Sequence, residues 1–303
     1  GNNTLSANLT INTGGANFWI QSDAGLLTLG GAISSAATCA RTFTFQGNGN
    51  LTLAGVLADG SATISTIKSG LGTLTFQGNN TYTGGTTVNG GTLVLAKGGG
   101  TGAIRNNLII NAGATVNLAA VDALGYSAGV SVTNVTLTGG TLNNGVNGNN
   151  SYSTRYNLNG GTLSSTGGGA FNFDGAGEAG VNSLASSAIS TISAPVDLRS
   201  PGVVFATALG GVPGGIDLLI SGAINNANSS GTGSFIKAGA GTLSLSGMNT
   251  YSGPTTINAG TLVIGGAGQL GGGAYAANIT NNGALRYNSS AAQILSGVIS
   301  GGG

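Results

Sequence analysis

The chain reads as an all-β protein, a parallel β-solenoid with no helical domain. Three observations predict this. Short alternating segments recur throughout, Gly/Asn corners separate them, and one long phrase occurs twice. Residues 68–95 read KSGLGTLTFQGNNTYTGGTTVNGGTLVL and residues 237–264 read KAGAGTLSLSGMNTYSGPTTINAGTLVI. Roughly 17 of about 28 positions are identical, and most others exchange like for like. Self-similarity at such spacing marks a repeat architecture, in which each unit buries its apolar face only against its neighbours.

Composition narrows the surface and the partners. The 303 residues include 60 Gly and 4 Pro; 40% are hydrophobic and 5% charged. Average domains carry about 25% charge, so Thr, Ser and Asn make this surface instead. Glycine has no three-residue period, which excludes collagen. The apolar residues are too many and too regularly placed for a chain disordered by composition. Eight basic and seven acidic residues stand singly. No basic patch is present to bind nucleic acid or a membrane surface, and no apolar run is long enough for a helical span. No basic-plus-apolar leader opens the chain, as expected of a cytosolic protein or of a processed or excised piece. One cysteine, Cys39, excludes an internal disulfide framework.

The elements follow in order. Thr73-Leu74-Thr75-Phe76 alternates polar and apolar at period two, a half-buried strand. Gln77-Gly78-Asn79-Asn80 has turn chemistry. Thr81 to Val88 reads as a Thr/Tyr strand interrupted at Gly84-Gly85, Asn89-Gly90-Gly91 turns again, and Thr92-Leu93-Val94-Leu95 is the next strand. Three short strands with corners make about one coil. The same grammar recurs at Asn50–Leu53, Val135–Leu142 and Tyr156–Leu163. At roughly 20–25 residues per coil, the chain makes about 12–15 rungs. Leu118 to Leu124, the best helical candidate, is stopped by Gly125 and reads as a short turn. The corners need positive φ, which Gly adopts freely and Asn more readily than most. Stacked Asn side chains can hydrogen-bond along a ladder.

A larger unit is also expected. The apolar-Gly-apolar phrase before each long motif, Leu53–Leu57 and Ile220–Ile224, recurs at Leu295–Ser300. The chain therefore reads as one continuous solenoid, 1–303, with an incomplete next unit at 295–303. Neither end carries a polar cap, so the expected partner is another copy stacked end to end or a continuation in a longer chain.

The phrase Lys-x-Gly-x-Gly-Thr-Leu-x-Leu-x-Gly-x-Asn-Thr-Tyr-[Thr/Ser]-Gly-x-Thr-Thr-[Val/Ile]-Asn-x-Gly-Thr-Leu resembles the passenger-associated transport repeat of bacterial autotransporters. Phe76 replaces the usual aliphatic residue in the first copy, and Pro254 a Gly in the second. The resemblance implies a right-handed β-helix exported to the bacterial cell surface. It implies no single activity, because such passengers include adhesins, aggregation factors and enzymes. The structural residues of the motif are Lys68, Gly72, Tyr82 and Gly91, matched by Lys237, Gly241, Tyr251 and Gly260.

Catalytic chemistry finds little support. With no histidine, His-based triads, acid/base pairs and His metal sites are excluded. A polysaccharide-active β-helix needs clustered carboxylates. The only close acidic pair, Asp174 and Glu178, is a weak Ca²⁺ candidate and reads better as a solvated loop. Cys39 reads as a small buried or half-buried filler. Lys68 and Lys237 read as register and solubility devices at a strand edge. Tyr82 and Tyr251 read as rings stacking over a corner or between rungs, with a carbohydrate platform as the minority reading. The Gly-x-Gly corners are not phosphate loops, since no helix follows. No cofactor is expected. The expected function is a non-enzymatic extracellular stalk or fibre segment, with a surface glycan or host ligand along its face as the alternative.

Overall fold

The computed structural model describes residues 1–303 except 13–16, 151–153, 175–179 and 230–232. It is the expected all-β parallel solenoid, of about 12 turns. Among the described residues a single 3-10 turn, Gly271–Gly273, is the only helix. The chain packs as two compact units, residues 1–151 and 152–303.

In the first unit one parallel sheet runs Asn3–Leu5, Leu26–Leu29, Asn50–Leu53, Thr73–Phe76, Gly91–Leu95, Ala114–Leu118 and Thr141–Asn144. A second runs Phe18–Gln21, Arg41–Gln46, Ile64–Lys68, Thr86–Val88, Asn106–Asn111 and Val132–Thr138. Leu9–Ile11, Ile33–Ser35 and Leu57–Gly60 form a short third face. Neighbours in each sheet are one coil apart in sequence, because the chain visits every face once per turn. The second unit repeats the plan. Thr162–Ser165, Ser190–Ile192, Leu218–Ile220, Thr242–Leu245, Thr261–Gly266 and Ala284–Ser289 line one face. Arg155–Asn159, Gly180–Ser183, Val203–Thr207, Phe235–Ala238, Thr255–Ile257, Ile279–Asn281 and Ile299–Ser300 line another.

Period-two alternation sends every second residue inward, where like stacks on like. Leu51, Leu74, Leu93, Val116 and Leu142 form one file in strict register, and all are buried. Aromatic rings form a second kind of file. Phe18, Phe43, Phe45 and Phe76 follow one another at 5.3, 6.2 and 5.9 Å in the first unit. In the second, Phe173, Phe205, Phe235, Tyr251 and Tyr275 are spaced at 5.7, 4.7, 5.9 and 5.7 Å. The outer faces carry the expected amide ladders: Asn111 Nδ2 donates to Asn89 Oδ1 at 2.7 Å, and Asn143 Nδ2 to Asn117 Oδ1 at 2.9 Å.

Coil length varies, and the repeated phrase makes the short coils. The step from Leu74 to its partner Leu93 is shorter than the step before it, Leu51 to Leu74, or the one after it, Leu93 to Val116. The second copy does the same: Leu243 to Leu262 is a shorter step than Ile220 to Leu245. The strand expected from Thr81 is confined to Thr86–Val88. Residues 81–85 leave the ladder because Tyr82 turns into the core and Gly84 abuts the Ile64 backbone.

Truncating a core file costs its transfer free energy plus the cavity left behind. Leu93→Ala should therefore lower unfolding free energy by about 2–5 kcal/mol in chemical denaturation. Thr92→Ala, one residue along on the outer face, should stay within about 0.5 kcal/mol.

Candidate functional site

The residues singled out in the two copies converge on a buried polar cluster, built twice. Lys68 ends the strand Ile64–Lys68, on the inward parity with Ile64 and Thr66, between Phe45 and Val88 in its file. It is 3% exposed, and Lys237 is 0% exposed. The strand-edge, solubility reading of these lysines is thus corrected: both lie on interior strands and face the core. Each ammonium curls to the nearest corner. Lys68 Nζ donates to the carbonyls of Ser69, Gly70 and Gly90 at 2.9, 2.8 and 3.1 Å. Lys237 Nζ donates to those of Ala238, Gly239 and Ala259 at 2.8, 2.6 and 3.1 Å. Two acceptors lie on the lysine's own coil and the third on the next, so each side chain clips adjacent corners together. Its three donors are all used, as burial requires.

Glycine makes the clip possible. Gly91 has φ 63° and Gly260 φ 67°. A Cβ on Gly91 would stand 2.5 Å from both Gly70 O and Gly72 O; on Gly260 it would meet Gly239 O and Gly241 O at the same distance. Gly72 and Gly241 themselves abut the corner one coil earlier, at Gly49 O and Ala208 O. Stacked corners leave no room for side chains.

The tyrosines close the other corner. Tyr82 and Tyr251 are fully buried. Tyr82 Oη shares a hydrogen bond with Thr86 Oγ1 at 2.5 Å and accepts from Thr66 Oγ1 at 3.2 Å. Tyr251 Oη bonds Thr255 Oγ1 at 2.8 Å, which also bonds Tyr275 Oη at 2.7 Å. Burial pushes the Tyr82 phenol up to about 12 and the Tyr251 phenol well above its ordinary value. The carbohydrate-platform reading therefore has no exposed ring to use, and the inter-rung reading fits the Phe235–Tyr251 stack.

Sequence reasoning missed two members of the cluster. Asn80 and Asn249, just before the Thr-Tyr pair, are fully buried. Asn80 accepts from Leu57 N at 2.8 Å and donates to Ala103 O at 2.9 Å, spanning the coils on either side. Asn249 accepts from Ile224 N at 3.1 Å and donates to Gln269 O at 3.0 Å. The signal is their identity in both copies. It reads as turn chemistry because an Asn beside glycines is usually exposed. The copies also differ usefully. Asp217, 4% exposed, accepts from Gly210 N and Thr242 N at 2.8 Å each, and its charge opposes the lowering of the Lys237 ammonium by burial. Asn50 takes the equivalent place in the first copy, accepting from Thr73 N at 3.0 Å.

The remaining candidates do not assemble a site. Asp174 is exposed, and Glu178 lies outside the described residues. Among the described residues no group of three His, Cys, Asp or Glu side chains could hold a metal. Cys39 is exposed rather than a core filler, because its segment lies in a bend between strands and not on an inward parity.

The family model described as Passenger-associated-transport-repeat matches residues 67–95 and 235–264. The chain carries two passenger-associated transport repeats. Lys68, Asn80, Tyr82, Thr86 and Gly91, and Lys237, Asn249, Tyr251, Thr255 and Gly260, fall inside these repeats. The chain is also 42% identical over 72 residues to the Adhesin BmaC autotransporter of Brucella suis biovar 1 (strain 1330). That match covers 24% of this chain and 2% of the relative, so the chain spans a small part of that protein's length. No solved structure matches.

The repeats' chemistry is structural, and its pH dependence follows. Burial pulls Lys68 and Lys237 from 10.5 to about 8. The folded state then releases these protons before the unfolded state does, so stability rises as pH climbs from about 8 towards 10. The raised phenols act in the opposite sense. Their stabilisation is complete below pH 10 and is lost as pH rises from 10.0 to about 12. Unfolding free energy measured against pH should therefore peak near 10, and the rising limb should vanish in Lys68→Met/Lys237→Met. Lys68→Met alone should cost about 1 kcal/mol, since it removes the donor from three half-buried carbonyls.

Proposed function

We propose that this chain is a stretch of an exported bacterial surface protein that acts as a non-enzymatic stalk and presents an adhesive face. One observation carries the reading: the buried polar chemistry of both repeats is spent on fastening coil to coil. In each copy the three lysine donors, the asparagine bridge and the tyrosine–threonine bonds all end on the protein's own backbone or side chains. Such fastening suits an element that bears load. The similarity to an autotransporter adhesin supports the same direction, and a passenger of that kind works outside the cell.

A second reading is self-association of copies. A net charge of +1 leaves little electrostatic repulsion between molecules.

The test is surface display of the chain on a non-adherent bacterium, with retention on glycan- and matrix-coated surfaces and polysaccharide turnover measured in parallel. Retention above the empty strain without turnover is the expected result. Depolymerisation of any offered glycan, or no retention on any surface, would overturn the stalk-and-adhesion reading. Sedimentation velocity of the purified chain addresses the second reading: growth of fibres with concentration supports it, and a constant monomer refutes it.

A further inference from the structure

An open cavity of about 260 Å³ lies on the surface of the first unit beside the first repeat, lined by Thr83, Arg105, Asn106, Gly129, Ser131 and Thr133. Three independent features meet there. Asn106 holds φ 63°, one of two non-glycine residues with positive φ among those described. Such backbone is costly and concentrates at functional sites. The ladder also slips here. Asn106 pairs with Val132 while Asn107 pairs with Asn134, leaving Thr133 as a bulge that re-aims its side chain. Finally, Arg105 Nε is buried with no hydrogen-bond partner, and its guanidinium makes no hydrogen bond or ion pair among the described residues.

That arginine is anomalous in a chain with so few charges. The buried lysines spend every donor on carbonyls, and Arg41 donates to Ala40 O at 3.0 Å. The carboxylate bonded to the cavity wall is occupied: Asp59 Oδ1 accepts from Ile64 N at 2.7 Å, and its Oδ2 from Thr83 Oγ1 at 2.6 Å. Around the guanidinium the cavity offers neutral groups. Asn106 Nδ2 donates to Thr83 O at 3.0 Å, and its Oδ1 takes no hydrogen bond from the described residues. The Ser131 hydroxyl is likewise unengaged, and Thr133 Oγ1 accepts from Asn134 Nδ2 at 3.2 Å.

We propose that this cavity is a binding subsite for a sugar residue bearing a ring carboxylate. A guanidinium presents paired donors that match a carboxylate. The hydroxyl and carboxamide groups beside it match sugar hydroxyls. The volume suits one sugar residue rather than an extended chain. The proposal rests on the adhesive-face reading and names its ligand class. Uronates and sialic acids share this chemistry, and the experiment separates them.

The test is titration of the full chain, by calorimetry and by NMR shift perturbation, with oligogalacturonate, sialyllactose and neutral lactose. Binding of one or both acidic sugars is expected, at least tenfold tighter than lactose. Arg105→Gln should weaken it about tenfold or more, as loss of a charged hydrogen-bonded contact does. Arg105→Lys, which keeps the charge and loses the fork, should fall between. Arg286→Gln, an exposed arginine of the second unit, should bind as wild type, and circular dichroism should report the same fold in every variant. Equal binding of lactose, unchanged binding by Arg105→Gln, or no binding of either acid would overturn the subsite. Tighter binding of inorganic sulfate than of either sugar would do the same. These failures leave the stalk reading standing if displayed cells still adhere; glycan turnover would overturn the stalk reading and leave the subsite.

Discussion

Parallel stacking in register is the constraint on which everything else depends. Within each unit the strands of one coil hydrogen-bond to those of the coils before and after, so a strand residue in register has a fixed neighbour. Corners must then lie on corners. That is why Gly72, Gly91, Gly241 and Gly260 tolerate no Cβ, and why positive φ falls on glycine at the tightest bends. The same rule places Leu51, Leu74 and Leu93 in one file and Asn89 beneath Asn111 outside it. A residue type suited to one coil is suited to the next, and the sequence repeats accordingly.

The repeats solve a problem that stacking creates. Their coils are short, and the corner carbonyls of adjacent coils come within reach of one side chain. An ammonium carrying three donors satisfies three such carbonyls from one side chain, which no neutral residue does as compactly. The cost is desolvation of the charge, visible in the pull of both lysines to about 8. Asn80 and Asn249 serve the opposite corner by the same logic: a carboxamide both accepts and donates, so it can reach one coil back and one coil forward. The buried phenols are satisfied by threonines that occupy inward positions next to phenylalanine files. A solenoid fastened in this way has little need of a disulfide. Its function is then expected where the pattern breaks, as at the bulge and left-handed Asn106 beside Arg105.

Several parts are readable in advance because they depend only on neighbours in sequence. The alternation of Thr73–Phe76 predicts a strand with Leu74 and Phe76 inside, and the expected turn before Gly125 forms at Val121 to Leu124, while Leu118 ends a strand. The errors share a cause. Thr81–Gly85 has strand composition but leaves the ladder, because Tyr82 finds its partners on strands that include another coil. Lys68 reads as an edge lysine, since charge normally stays in water. Its parity with Ile64 and Thr66 points inward, and only the neighbouring corner shows what makes that tolerable. Residue type alone assigns Cys39 to the interior, and its bend places it outside.

The sequence alone determined the class of structure: strand alternation, glycine corners and a twice-written phrase are local or self-referential signals. It also excluded histidine chemistry outright. Which coil each residue meets was decided only in three dimensions, because coil length varies along the chain and pairing follows from the sum of all intervening loops. The partners of Lys68 and Asn80, the bulge at Thr133 and the unpaired guanidinium of Arg105 all depend on that register. A chain can state its own alternation; it cannot state which carbonyl will stand across from a given side chain until the coil between them is closed.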